Sequence, residues 1–132
     1  MPIPRVDYTL RVIDEQARLI QRIGCSSKAT LFTGSLVLAK ACLAERRIYL
    51  ERRAAVKEND SGWYIGPLDH PLAERERLAS IQAYRLLRLR PEVMPVLALP
   101  EGYIATFDGE RLEAILDHRD VRVWSQQQSQ RS

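Results

Sequence analysis

Few side chains in this sequence can do chemistry, and their neighbours limit each of them. His70 stands in Asp69-His70-Pro71 and His118 in Asp117-His118-Arg119-Asp120. An imidazole beside a carboxylate can serve as a general base. Both histidines, however, occupy charged turn contexts in which a solvated ring is the ordinary outcome. Cys25 and Cys42 match no zinc-ligand spacing, and no HExxH or CxxC motif is present. Two reduced thiols are expected. Ser61 lies in Asp60-Ser61-Gly62, without the flanking glycines of a nucleophile elbow or a phosphate loop. Glu58 and Asp60 can be drawn as an acid–base pair, yet turn chemistry accounts for them more simply: an aspartate accepts backbone N–H groups and Gly62 frees φ. No catalytic residue, cofactor or metal is expected. The chain reads as a binder rather than an enzyme.

The elements that must position these residues follow from periodicity and punctuation. Asp14 to Ile23 reads as an amphipathic helix starting near Val12, with Val12, Ile13, Ala17, Leu19, Ile20 and Ile23 on its apolar face. Acids in its first turn and Gly24 after its end agree with that reading. Cys25 to Ser35 is connection, and Leu36 to Ala39 fits a strand or a helix equally. Ile48 to Arg53 is strand-like, Lys57 to Gly62 is a polar turn, and Trp63 to Ile65 is a strand stopped by Gly66-Pro67. Pro71 opens a helix over about residues 72–89, with Leu72, Ala79, Ala83 and Leu86 in one stripe and Pro91 ending it. Glu92 to Met94 allows at most one helical turn before Pro95. Tyr103 to Phe107 is a strand, Asp108-Gly109 a tight turn, Glu110 to Leu116 a short helix and Val121 to Trp124 a final strand. The interleaving lacks regular βαβ spacing, so the expectation is α+β: a small, mainly antiparallel sheet packed with two main helices. One domain spans residues 1–124, and 125–132 is a polar tail.

Composition removes whole classes of function. A chain of 132 residues, 45% hydrophobic and 28% charged, is neither disordered nor a membrane bundle. The longest apolar run, Leu36 to Leu43, is interrupted by Lys40, and Met1 to Asp14 lacks a signal-peptide pattern. A cytoplasmic protein is expected. The net charge is +3, and seventeen of the twenty basic residues are Arg. They are dispersed among acids, as in Glu74-Arg75-Glu76-Arg77, with no basic block interleaved with aromatics. Neither nucleic acid nor membrane is an expected partner.

The informative stretch runs from Arg52 to Gly66, RRAAVKENDSGWYIG. It resembles bacterial immunity protein family thirty-three, formerly a domain of unknown function. In that family a strand ending in arginine is followed by a polar stretch and an Asp-Ser-Gly-Trp core. Here these are Tyr49-Leu50-Glu51-Arg52, Lys57-Glu58-Asn59 and Asp60-Ser61-Gly62-Trp63. A second segment is similar in order and spacing: Arg90-Pro91-Glu92-Val93-Met94-Pro95-Val96-Leu97, then Pro100-Glu101-Gly102-Tyr103. Gly34 to Leu38 looks like the family's first strand. The resemblance covers roughly residues 34–109 and leaves the N-terminal helix outside.

The resemblance implies an α+β immunity protein that neutralises a cognate toxin domain of a polymorphic toxin or contact-dependent secretion system. It would do so by stoichiometric binding, without turnover. The expected contact surface is the polar loop and its flanks: Arg52, Lys57, Glu58, Asn59, Asp60, Trp63, Tyr64 and Asp69. Mixed charge there would give specificity and aromatic area energy. Trp63 can be either a core anchor or an exposed partner anchor. A small adaptor or secretion chaperone, binding through the Leu-rich helix over 72–89, is the alternative. An enzyme using His70 or His118 is the third reading.

Overall fold

The computed structural model describes residues 6–69 and 77–126. Helix α1 (Val6–Ile23) begins well before Val12 and ends where Gly24 takes a φ of +81°. Val12 is buried, and Leu19, Ile20 and Ile23 pack against the core. Ile13 and Ala17, expected on the same face, are exposed, so the buried stripe is narrower than the sequence suggests. Asp14–Arg18 and Arg11–Glu15 ion pairs lie on the solvent side at helical spacing. The Gln16 side chain donates to the Met94 carbonyl at 2.9 Å, pinning α1 to the segment that lies beneath the sheet.

Among the described residues seven strands form one sheet: β1 (Ser35–Ala39), β2 (Arg47–Arg52), β3 (Asp60–Pro67), β4 (Leu78–Gln82), β5 (Ile104–Asp108), β6 (Arg111–Leu116) and β7 (Arg122–Ser125). Their order is β4-β1-β3-β2-β5-β6-β7, and only β1 and β3 run parallel. The α+β class and the single domain hold, with a sheet larger than expected. Alternation sends Leu36, Leu38, Ile48, Leu50, Trp63, Ile65, Phe107 and Ile115 to one face, all buried. Beneath them lies Pro91–Ala98, a 3₁₀ stretch of eight residues that places Val93, Met94, Val96 and Leu97 in the core. The opposite face carries Arg47, Tyr49, Glu51 and Tyr64.

Three expectations are corrected. The helix over 72–89 is absent from its described part: Leu78–Gln82 is β4, followed by a 3₁₀ turn (Ala83–Arg85) and the single-turn α2 (Leu86–Leu89). Its first residues, 72–76, lie outside the described ones. Ala83 and Leu86, read as a helical stripe, are fully buried all the same. A strand leading into one turn brings them to the core as well as a helix would, and β1 supplies a pairing edge that a local pattern cannot reveal. Glu110 to Leu116, helical by propensity, is a turn residue followed by β6, because Gly109 at a φ of +63° closes a hairpin that lays Arg111–Leu116 against β5. Finally, Pro95 does not stop the turn before it. It sits inside the 3₁₀ stretch, beyond the single turn expected.

Candidate partner-binding site

The loop between β2 and β3, residues 53–59, is exposed along its length. Its base is rigid for identifiable reasons. The Asp60 carboxylate accepts the backbone N–H of Gly62 at 2.9 Å and of Val56 at 3.3 Å, closing the loop on itself. Ser61 Oγ accepts the Trp63 N–H at 3.2 Å. Gly62 has a φ of +85°, and a Cβ there would stand 2.0 Å from the Arg53 carbonyl oxygen. No other residue fits this position. Across the ladder, Arg53 N–H donates to the Gly62 carbonyl at 2.8 Å.

Beneath the loop two signature side chains turn inward. Arg52 is 2% exposed and Trp63 1%. The Arg52 guanidinium donates to five carbonyls: Ser61 (3.0 Å), Lys28 (2.5 Å), Ala29 (3.1 Å), Leu97 (3.2 Å) and Leu99 (3.0 Å). Three separate stretches of chain are thereby tied to one side chain. Burial lowers its pKa, opposed by the charge of Glu101. Trp63 Nε1 donates to Thr30 Oγ1 (2.9 Å) and the Leu97 carbonyl (3.2 Å). At the rim, Lys28 hydrogen-bonds Glu101, and that bond holds the Glu101 carboxyl below its usual range.

The eight expected contact residues therefore part company. Lys57, Glu58 and Asn59 lie together on the exposed loop, with Asp60 half-buried at its foot. Asn59 also donates to the Thr33 carbonyl at 3.3 Å, joining the loop to the turn before β1. Arg52 and Trp63 are interior and serve the fold. Tyr64 is buried on the opposite sheet face, with the Arg53 guanidinium carbon 4.4 Å from its ring centroid and Tyr49 beside it. Asp69 lies past the far end of eight-residue β3, paired with Arg47 at 2.7 Å. At about 3.3 Å per residue, the strand keeps it roughly 25 Å from Glu58.

Two apolar side chains that sequence reasoning missed stand at the loop's end of the sheet. Val56 is 88% and Leu31 68% exposed. Leu31 lines both a depression of about 250 Å³ shared with Ala55, Glu58 and Asn59, and a second of about 410 Å³ shared with Ile13, Gln16 and Phe32. The visible signal was their position outside any expected element, Leu31 within the connection Cys25 to Ser35 and Val56 between a strand and a polar turn, where an aliphatic residue has no core to enter.

This architecture defines a class: a one-sided α+β domain whose signature residues brace an exposed, mixed-charge loop from below. Among the described residues no three His, Cys, Asp or Glu gather as for a metal ion, and no helix is long and apolar enough to cross a membrane. The chain belongs to the Imm33-like domain family, whose family model matches residues 15–121. The match takes in much of α1 as well as the stretch from 34 to 109. No curated protein and no solved structure matches the chain.

Proposed function

We propose that this protein is an immunity protein, binding a cognate toxin in the cytoplasm of the producing cell and inhibiting it one to one, without catalysis. Family membership over residues 15–121 carries the reading. The architecture supports it in a particular way. The Asp-Ser-Gly-Trp signature is consumed in building the base of the loop, which leaves the loop itself free to vary with the partner. Its contact set is then Lys57, Glu58 and Asn59 for polar specificity, with Val56 and Leu31 as apolar anchors. A few desolvated anchors within a polar rim suffice for tight binding. The adaptor reading loses its footing, since residues 78–89 are a strand and two short turns instead of a Leu-rich helix.

Co-expression with a candidate toxin, sought in the neighbouring gene, tests the proposal. Protection should fall for a Val56→Asp, Lys57→Glu double variant while the melting temperature stays unchanged. Full protection by that variant would contradict the contact surface. Absence of any toxin that co-purifies would contradict the function.

A further inference from the structure

The two edges of the sheet are built differently. β7 has four residues, begins with Arg122 and pairs with β6 through an irregular register. Charge, shortness and bulging are how soluble proteins keep an edge from pairing. β4, one residue longer, has neither the charge nor the irregular register. Leu78-Ala79-Ser80-Ile81-Gln82 carries no charge and no proline, and pairs with β1 in unbroken register.

The direction of its free groups follows from two hydrogen bonds. Ala83 N–H donates to the Gly34 carbonyl and Lys40 N–H to the Arg77 carbonyl, both at 2.9 Å and both in the β1–β4 register. Alternation along an antiparallel pair then turns residues 79 and 81 toward β1. It sends the N–H and C=O of Leu78, Ser80 and Gln82 outward. Among the described residues no strand pairs with that side. Leu78 is 54% exposed, and Ser80 and Gln82 are exposed as well.

Charge at the two ends of the edge selects the occupant. Exposed Arg77 precedes the strand. After it, Arg85 and Arg88 line a depression of about 310 Å³ with Tyr84 and Leu89. None of these three arginines makes an ion pair among the described residues. A second copy of this chain, paired antiparallel about Ser80, would bring each Arg77 against the other's Ala83–Arg85 turn, setting like charges together. We propose that the outer edge of β4 takes up an extended segment of a protein partner, uncharged through its centre and acidic at both ends. Main-chain bonds to residues 78, 80 and 82 would hold it, and Arg77, Arg85 and Arg88 would choose it. This surface is separate from the β2–β3 loop and does not depend on the immunity reading.

The probe is a fluorescein-labelled peptide, Glu-Glu-Thr-Val-Thr-Val-Thr-Glu-Glu, compared with the same peptide carrying Lys for each Glu. Fluorescence anisotropy should show saturable binding of the glutamate peptide, and binding of the lysine peptide weaker by about tenfold or more. Ser80→Pro removes one outward N–H and no bond to β1, the position at which an edge strand tolerates proline. It should abolish binding. The double variant Arg85→Glu, Arg88→Glu, which leaves the backbone intact, should reverse the preference. No binding at millimolar peptide, equal binding of both peptides, or undiminished binding to a folded Ser80→Pro protein would each overturn the proposal. So would concentration-dependent dimerisation that Ser80→Pro abolishes.

Discussion

Arg52 and Trp63 sit opposite each other in the β2–β3 ladder, the guanidinium carbon 5.5 Å from the indole centroid, and both donate to the Leu97 carbonyl at 3.2 Å. The arginine that ends the family's strand and the tryptophan that follows its turn are thus two halves of one brace. They join the sheet to the 3₁₀ stretch and to the segment around Thr30. Among the described residues no carboxylate forms an ion pair with this buried cation, although the charge of Glu101 is felt there, and five carbonyl dipoles take the place of water.

Arg52→Met tests that brace. The substitution keeps the stem's packing but strips donors from several buried carbonyls, so equilibrium urea unfolding should show a loss of about 3–5 kcal/mol. Arg52→Lys, a point charge that cannot fork to carbonyls on three stretches of chain, should recover only part of it. A near-neutral Arg52→Met would mean that water enters and satisfies these carbonyls.

Gly62→Ala and Gly109→Ala form a matched pair. Both glycines have positive φ, but only at Gly62 does a Cβ meet backbone, at 2.0 Å, while nothing lies within 4 Å of one at Gly109. Gly109→Ala should cost about 1 kcal/mol from backbone conformation alone. Gly62→Ala must also force β2 and β3 apart, and should leave little folded protein by circular dichroism. Equal losses would show that the Arg53 carbonyl moves aside freely.

Trp63→Ala should cost roughly 3–5 kcal/mol of stability, as for a large ring removed from a packed core. Any loss of protection should then track the unfolded fraction and be restored by lowering the temperature. A variant with unchanged melting and lost protection would assign Trp63 to the partner instead.

Asp117 accepts the backbone N–H groups of Val121 (3.0 Å) and Arg119 (2.8 Å), and these bonds, that from Val121 foremost, lower its pKa. A depressed carboxylate pKa stabilises the fold above the unfolded value and ceases to do so as pH falls through the folded value. The turn leading into β7 should therefore loosen below about pH 4. The protection factor of the Val121 amide, its exchange rate by NMR relative to the intrinsic rate at each pH, should fall there. Asp117→Ala should show low protection at every pH.

Legibility from sequence followed the range of the forces involved. Helix α1, strands β2, β5 and β7 and the Asp108-Gly109 turn rest on local periodicity and turn chemistry, and they could be read from the chain. β4 could not, because it is a strand by virtue of β1, a neighbour distant in sequence, and β6 was misread because its helical tendency gives way to pairing with β5 across the adjacent hairpin. The site divided the same way. Asp60 and Gly62 declared themselves by turn chemistry. Arg52 and Trp63 looked like contact residues because Arg and Trp are common at interfaces. Their acceptors are mostly backbone carbonyls at positions 28, 29, 61, 97 and 99, which no residue type announces.

The most direct test of the central claim is titration calorimetry of this protein with the cognate toxin domain that the proposal requires, sought in the neighbouring gene, using wild type and the Val56→Asp, Lys57→Glu variant. The account predicts a one-to-one complex of nanomolar affinity or tighter for wild type. For the variant it predicts a Kd raised by roughly a hundredfold with unchanged thermal stability, the size expected for losing a central anchor. No heat of binding to wild type, or an undiminished affinity in the variant, would contradict it.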